Sequence, residues 1–156
     1  MVDELTDFMR WWRDIREINI NPYEKRMLHV GDTAGVTLYR KGQFQVELFI
    51  VKPNSVIIPH IHPNVDSYED YLAGDIDFIL EDKLCNYLNV SEPLRVYPNT
   101  WHGGVFGDRG GTFVSIQQWL NGVTPKFVGD DWVGKDQTAS YAESTNNLKG
   151  LNHGSR

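Results

Sequence analysis

The chain has 156 residues, 40% of them hydrophobic and 12% aromatic, which suits one domain of ordinary size with a substantial core. Its net charge of −6 comes without any block of like charges and disfavours a nucleic-acid backbone as partner. The single cysteine, Cys85, excludes an intrachain disulfide and a thiolate zinc site, and an intracellular (cytoplasmic) compartment is the default for such a chain.

Residues 1–20 carry Asp3, Glu4, Asp7, Arg10, Arg13, Asp14, Arg16 and Glu17, so they hold no apolar leader and no membrane-spanning segment, and a soluble protein is expected. Val2, Leu5, Met9, Trp12 and Ile15 recur at three- and four-residue steps, which predicts an amphipathic helix of about four turns. Trp11 falls beside this stripe and reads as a partly covered surface aromatic before a subunit contact. Asn21-Pro22 stops the helix.

Short strands follow, with Met27–Val30, Val36–Tyr39 and Phe44–Ile50 first; in the last, Phe44, Val46, Leu48 and Ile50 alternate with Gln45, Glu47 and Phe49. Further strand candidates are Ser55–His62, Ser67–Leu72, Asp75–Leu80, Leu94–Tyr97 and Thr112–Leu120. Punctuation falls at Pro53-Asn54, Ala73-Gly74, Glu81-Asp82-Lys83, Pro98-Asn99 and Asp108 to Gly111. Many short strands at this spacing argue for an antiparallel sandwich or barrel and against alternating strand-helix units. Beyond about residue 133 the chain turns polar and aperiodic, a tail that is disordered or draped over the domain, and His153 belongs to it.

His60 and His62 stand two apart on a predicted strand and so share a face; counting by twos also places Val56 and Ile58 there. Two imidazoles on an apolar face need partners, because an unpaired buried polar group costs about 1–3 kcal/mol. His102, after Tyr97-Pro98-Asn99-Thr100-Trp101, supplies a third imidazole. Three neutral histidines with open positions suit Fe(II), Mn(II), Ni(II), Cu(II) or Zn(II), and not Mg(II) or Ca(II).

The layout of His-x-His, an acidic stretch, Gly74, a turn and one further His resembles the cupin superfamily (RmlC-like jelly roll) over roughly residues 43–120. The first cupin motif reads Gly-x5-His-x-His-x3–4-Glu-x6-Gly. His60, His62 and Gly74 match it, Asn54 stands at the opening Gly, and Ser67 replaces the Glu ligand. Asp66 fits the shorter spacing from His62, while Glu69 lies on the strand face of Ser67; Glu69, Asp66 or neither supplies the fourth ligand. In the second motif, Gly-x5-Pro-x-Gly-x2-His-x3-Asn, His102 matches, Asn99 takes the turn Gly, Tyr97 stands for Pro and Phe106 for the closing Asn.

The resemblance implies an all-β fold: a single cupin-type antiparallel β-barrel at 21–133, an N-terminal helix at 1–20 and a polar tail at 134–156. It implies a divalent transition metal (Fe, Mn, Ni or Zn) inside the barrel on His60, His62 and His102, walled by inward side chains. Candidates for that wall are Gln117, Tyr71 and Trp101, with Gln45, Glu47, Phe49, Phe78 and Trp119; Arg40, Arg95 and Arg109 are potential carboxylate binders with no placement. It also implies action on, or binding of, a small organic molecule, with a dioxygenase as the first reaction class. Three-His cupins without the Glu look like thiol dioxygenases. The alternative is a non-catalytic ligand-binding or interaction module with a structural or absent metal. A homodimer is expected on the same ground.

Overall fold

The computed structural model describes residues 3–15, 28–30, 32–90 and 92–134. The predicted helix is present as α1, Glu4–Ile15. Asp3 caps it, its Oδ1 accepting hydrogen bonds from Thr6 N (2.8 Å) and Thr6 Oγ1 (2.6 Å), which satisfies a backbone donor that a helix start leaves free. Those bonds hold the Asp3 carboxyl at about 2, and Arg95 adds to the effect. The stop at Asn21-Pro22 lies outside the described residues.

Nine strands follow: β1 (Leu28–Val30), β2 (Thr33–Lys41), β3 (Phe44–Val51), β4 (Val56–Ile61), β5 (Val65–Leu80), β6 (Lys83–Asn86), β7 (Leu94–Val96), β8 (His102–Trp119) and β9 (Val133–Gly134). All the pairings are antiparallel, and the organising one joins β5 to β8 from Val65↔Trp119 to Leu80↔His102. The other edge of β8 is shared, β3 pairing with Gly111–Gln118 and β4 with His102–Val105. The other edge of β5 is shared likewise, between β7 and β6. Two half-sheets result, joined through two long strands.

The bend between the halves lies where the sequence predicts breaks. Ser67–Leu72 and Asp75–Leu80 are one strand, and Thr112–Leu120 is the second half of a strand that begins at His102. At the bend Gly74 pairs with Gly111 and Ile76 with Phe106, so Asp75 alone opposes the four residues Gly107 to Gly110. Gly74 (φ 94°) and Gly110 (φ 63°) make this excursion possible, and a Cβ on Gly74 would lie 2.4 Å from the Gly110 carbonyl oxygen. The punctuation marks a corner in a continuous ladder. The predicted turn at Glu81-Asp82-Lys83 is shorter than expected: Lys83 already pairs with Leu80 and opens β6, a strand the weak pattern of Lys83-Leu84-Cys85-Asn86 does not announce.

Between the half-sheets lies an aromatic core that includes Phe49, Phe78, Phe106, Phe113 and Trp119. Alternate residues of β3 and β8 face the other way: Val46, Val114 and Ile116 pack with Val36, Leu38 and the helix residues Leu5, Met9 and Trp12. The apolar set Phe44, Val46, Leu48 and Ile50 is thus the helix side of β3, while the set with Gln45 and Glu47 points into the barrel. Trp12 is 2% exposed and Trp11 44%, and Trp11 leans on Phe8 and Tyr39. Replacing Trp12 with Ala is expected to lower unfolding free energy by about 3 kcal/mol or more, and Trp11→Ala by less than about 1 kcal/mol. Urea denaturation followed by circular dichroism checks the contrast.

Candidate metal centre

His60 sits near the end of β4, where the pairing jumps from Ile57↔Gly104 to His60↔His102. Pro59, which has no N–H to give to the ladder, lies inside this irregularity. The count by twos does not run through it unchanged. Val56 and Ile58 pack with Val105, Ile79 and Leu84, while Ile57 packs against the aromatic core. His62 follows the strand, and His102 opens β8 directly opposite His60. Asn99, at φ 61°, makes the turn into β8 in the left-handed conformation that its place in the sequence predicts, as does Asn54 at φ 57° before β4.

All three imidazoles are buried, and their ligand nitrogens lie within 4.8 Å of one another. In each ring Nδ1 meets a backbone carbonyl: Ile58 O for His60 (2.7 Å), Thr100 O for His102 (2.8 Å), and Asp131 O for His62. A carbonyl only accepts, so each Nδ1 carries the hydrogen and each Nε2 presents a lone pair. The Nε2 atoms of His60 and His62 are 3.1 Å apart, a repulsive arrangement of lone pairs that a cation relieves. Burial keeps the rings neutral, since it pushes the pKa of His60 well down, lowers that of His62 and takes that of His102 to about 4; neighbouring histidines add to the effect at His60 and His102. The donor set therefore fits a divalent transition metal.

Glu69 and Asp66 go to different places. Asp66 is paired through its carboxylate with Arg95, at 2.7 Å from Nη2, and the same nitrogen reaches Asp3 at 2.9 Å. That pair ties β5 to β7 and the start of the helix, away from the histidines, because Asp66 sits one residue out of phase with the inward Ser67 and Glu69. Glu69 points inward and lines the same cavity as the three histidines. It is not one of the converging group, however, and Ser67 and Ser115 donate to its Oε1 at 3.0 and 3.2 Å. Its Oε2 is buried without a partner among the described residues, and burial raises the carboxyl to about 7.

Behind Glu69 runs a ladder of buried polar side chains. Gln117 Nε2 donates to Ser115 Oγ and to Glu47 Oε1, both at 3.1 Å, and Gln117 Oε1 accepts from Gln45 Nε2 and Trp119 Nε1 at 2.9 Å. Glu47 also accepts from Val128 N at 2.9 Å. Gln117 is thus inward, as expected, but it is used up in this ladder and does not line the cavity. Neither do Tyr71 and Trp101. Tyr71 sits at the bend, stacked on Tyr87 with its hydroxyl donating to Gly74 O, and Trp101 lies in the turn just before β8. The three arginines are also elsewhere: Arg40 donates to Gln45, Arg95 to Asp66, and Arg109 to Gly74 O and Tyr87.

The segment after β8 contributes what the sequence reading missed. Trp132 lies flat on His60, ring centroids 3.6 Å apart and planes at 10°. Asp131 supplies the carbonyl for His62 and, through its carboxylate, accepts from Asn64 N (2.9 Å) and Nδ2 (2.8 Å). Gly134, counted by the sequence as the first residue of the tail, pairs with His60 in β9. The available signal was Trp132-Val133, two large apolar residues at the edge of a polar stretch. The remainder of the tail, with His153, lies outside the described residues.

The fold is that of the RmlC-like cupins. Solved structures it resembles include the polyketide cyclase RemF from Streptomyces resistomycificus (TM-score 0.61, 15% identity, 85% of this chain and 94% of that one). KdgF from Halomonas sp. superposes with a TM-score of 0.56 at 15% identity, over 64% of this chain and 90% of that one. An RmlC-like cupin from Shewanella frigidimarina does so at 0.53 and 13%, over 62% and 86%. No family model matches the sequence, and no curated protein does. No helix among the described residues is long and apolar enough to cross a membrane.

The buried Glu47 gives a pH signature. Its carboxyl is raised from 4.5 to about 7, chiefly by burial. The folded chain holds that proton more tightly than the unfolded one, so its contribution to stability is full below 4.5 and is lost as pH rises through about 7. Relative to Glu47→Gln, the wild type is expected to lose about 3 kcal/mol between about pH 4 and about pH 8. A stability difference that stays flat across that window in chemical denaturation contradicts the assignment.

Proposed function

We propose that this chain is a metal-dependent cupin that acts on a small organic molecule, with His60, His62 and His102 holding a divalent ion of Fe, Mn, Ni or Zn through Nε2. The observation that carries the reading is the set of three Nδ1–H···carbonyl bonds, which leaves three lone pairs turned toward one another in a buried cavity. Ordering of this kind by the far ring nitrogen raises ligand basicity and fixes ring orientation. With three protein ligands an ion keeps open positions, and it would supply Lewis acidity or a binding place for substrate or O2.

The chain's own residues do the rest. The carbonyls of Ile58, Thr100 and Asp131 hold the rings in register, Trp132 shields His60, and aromatic side chains line the cavity. Ser67 at the usual position of the carboxylate ligand, and Glu69 bound by two serines, support a three-His site. A dioxygenase is the reaction class to assay first. That the barrel of RemF serves a polyketide cyclase, as that protein's name states, supports a small organic substrate.

Purified protein reconstituted with Fe(II), Mn(II), Ni(II) or Zn(II) is expected to hold about one ion per chain by elemental analysis. The double variant His60→Ala, His102→Ala is expected to hold none and to lose the rise in melting temperature that the metal gives the wild type. Equal metal content in the two proteins would overturn the ligand assignment. Oxygen uptake over a panel of aromatic and thiol compounds then tests the reaction class, with wild type active and the double variant silent; uptake by neither protein favours a non-catalytic, ligand-binding cupin.

A further inference from the structure

The cavity in front of the histidines has a volume of about 210 Å3, and its walls include Phe49, Phe78, Phe106, Phe113, Phe127 and Trp132. An apolar cavity of roughly 150 Å3 accepts a benzene ring, so this one has room for a single substituted ring or a molecule of similar bulk. Phe49 and Phe113 stack at 5.3 Å, and Phe78 meets Phe113 edge-on at 6.0 Å, which offers both a face and an edge to a planar guest.

Charge in this wall is one-sided. Among the described lining residues there is no lysine or arginine, and the acidic ones are Asp32, which lies 3.9 Å from Lys52, and Glu69. Glu69 is 9% exposed. Its Oε1 is held by Ser67 and Ser115, and its Oε2 has no partner among the described residues. A buried carboxylate oxygen without a hydrogen bond is unfavourable until something donates to it, and in the metal-free cavity a guest bearing a carboxylate would face it with no lysine or arginine as countercharge. A guest with a neutral donor satisfies it. Sites built this way reject analogues that lack the donor, because the polar atom is then left unpaired.

We propose that the cavity takes a compact, neutral, ring-sized molecule carrying a hydroxyl or N–H group that donates to Glu69 Oε2, and that Glu69 is the residue that selects it. The inference deepens the reading of the barrel interior as a small-molecule site and assigns Glu69 to the ligand in place of the metal.

Phenol, toluene and benzoate serve as probes, titrated by calorimetry at about pH 8.5, where Glu69 is ionised, into the full chain with its metal content measured, and again after chelation. Phenol is expected to bind the wild type about tenfold or more tightly than toluene, and, after chelation, benzoate to bind more weakly than phenol. Glu69→Leu is expected to abolish the preference for phenol while toluene still binds; Glu69→Gln, closer in shape, keeps part of that preference. Equal affinity for phenol and toluene in the wild type, an unchanged preference in both variants, benzoate as the tightest ligand of the chelated protein, or no binding of any probe at millimolar concentration would each overturn the proposal. The two readings fail separately: a protein that holds no metal but prefers phenol through Glu69 sinks only the metal centre, and a metal-loaded protein that does not discriminate sinks only this inference.

Discussion

The antiparallel pairing of β5 with β8 is the constraint on which the rest of the structure depends. It runs from Val65↔Trp119 to Leu80↔His102, bends once, and so contributes to both half-sheets. Its first half sets Glu69 against Ser115 and Ser67 against Gln117. Its far end delivers His102 to a position opposite His60. A slip of one residue would turn every one of these side chains to the opposite face. Phe113, Ser115, Gln117 and Trp119 would then meet the helix, and Val114 and Ile116 the cavity. The helix guards against this, because Leu5, Met9 and Trp12 bury against the apolar set of the same strands.

The interior reverses the usual economy of a barrel core. Beside the aromatic core, two buried carboxyls, two glutamines and two serines form a connected ladder. Burial alone would make Glu47 and Glu69 costly when charged, and both are pushed up to about 7 for that reason. The ladder limits the cost by giving every oxygen of Glu47 a donor, and Glu69 one oxygen with two. Glu69 lines the cavity with its remaining oxygen unpaired among the described residues, and the three neutral imidazoles line the same cavity. Sites of chemistry are commonly those that folding leaves incompletely satisfied.

Much of this was legible from particular residues. The period of Leu5, Met9 and Trp12 gives a helix with a buried stripe, the alternation in Phe44–Ile50 gives a two-faced strand, and His60, His62 and His102 converge as their motif resemblance implies. Asn54 and Asn99 adopt the left-handed turns their positions require. Other features were legible only in part, for identifiable reasons. Glycine and aspartate at 73–75 and 107–111 signal a break, and a corner in a continuous ladder uses the same residues. Asp66 and Glu69 are equivalent in composition and nearly so in spacing. Only phase along the strand separates them, and phase depends on where the pairing shifts.

The sequence by itself determined the local elements and the chemical identity of the donor set, because periodicity, turn chemistry and imidazole type are properties of neighbouring residues. Only the tertiary structure decided which carboxylate shares the cavity, which carbonyl orients each ring, and that Trp132 closes over His60. Those relations join residues far apart in the chain, and they exist only once β5 and β8 have paired and the segment after β8 has returned to β4.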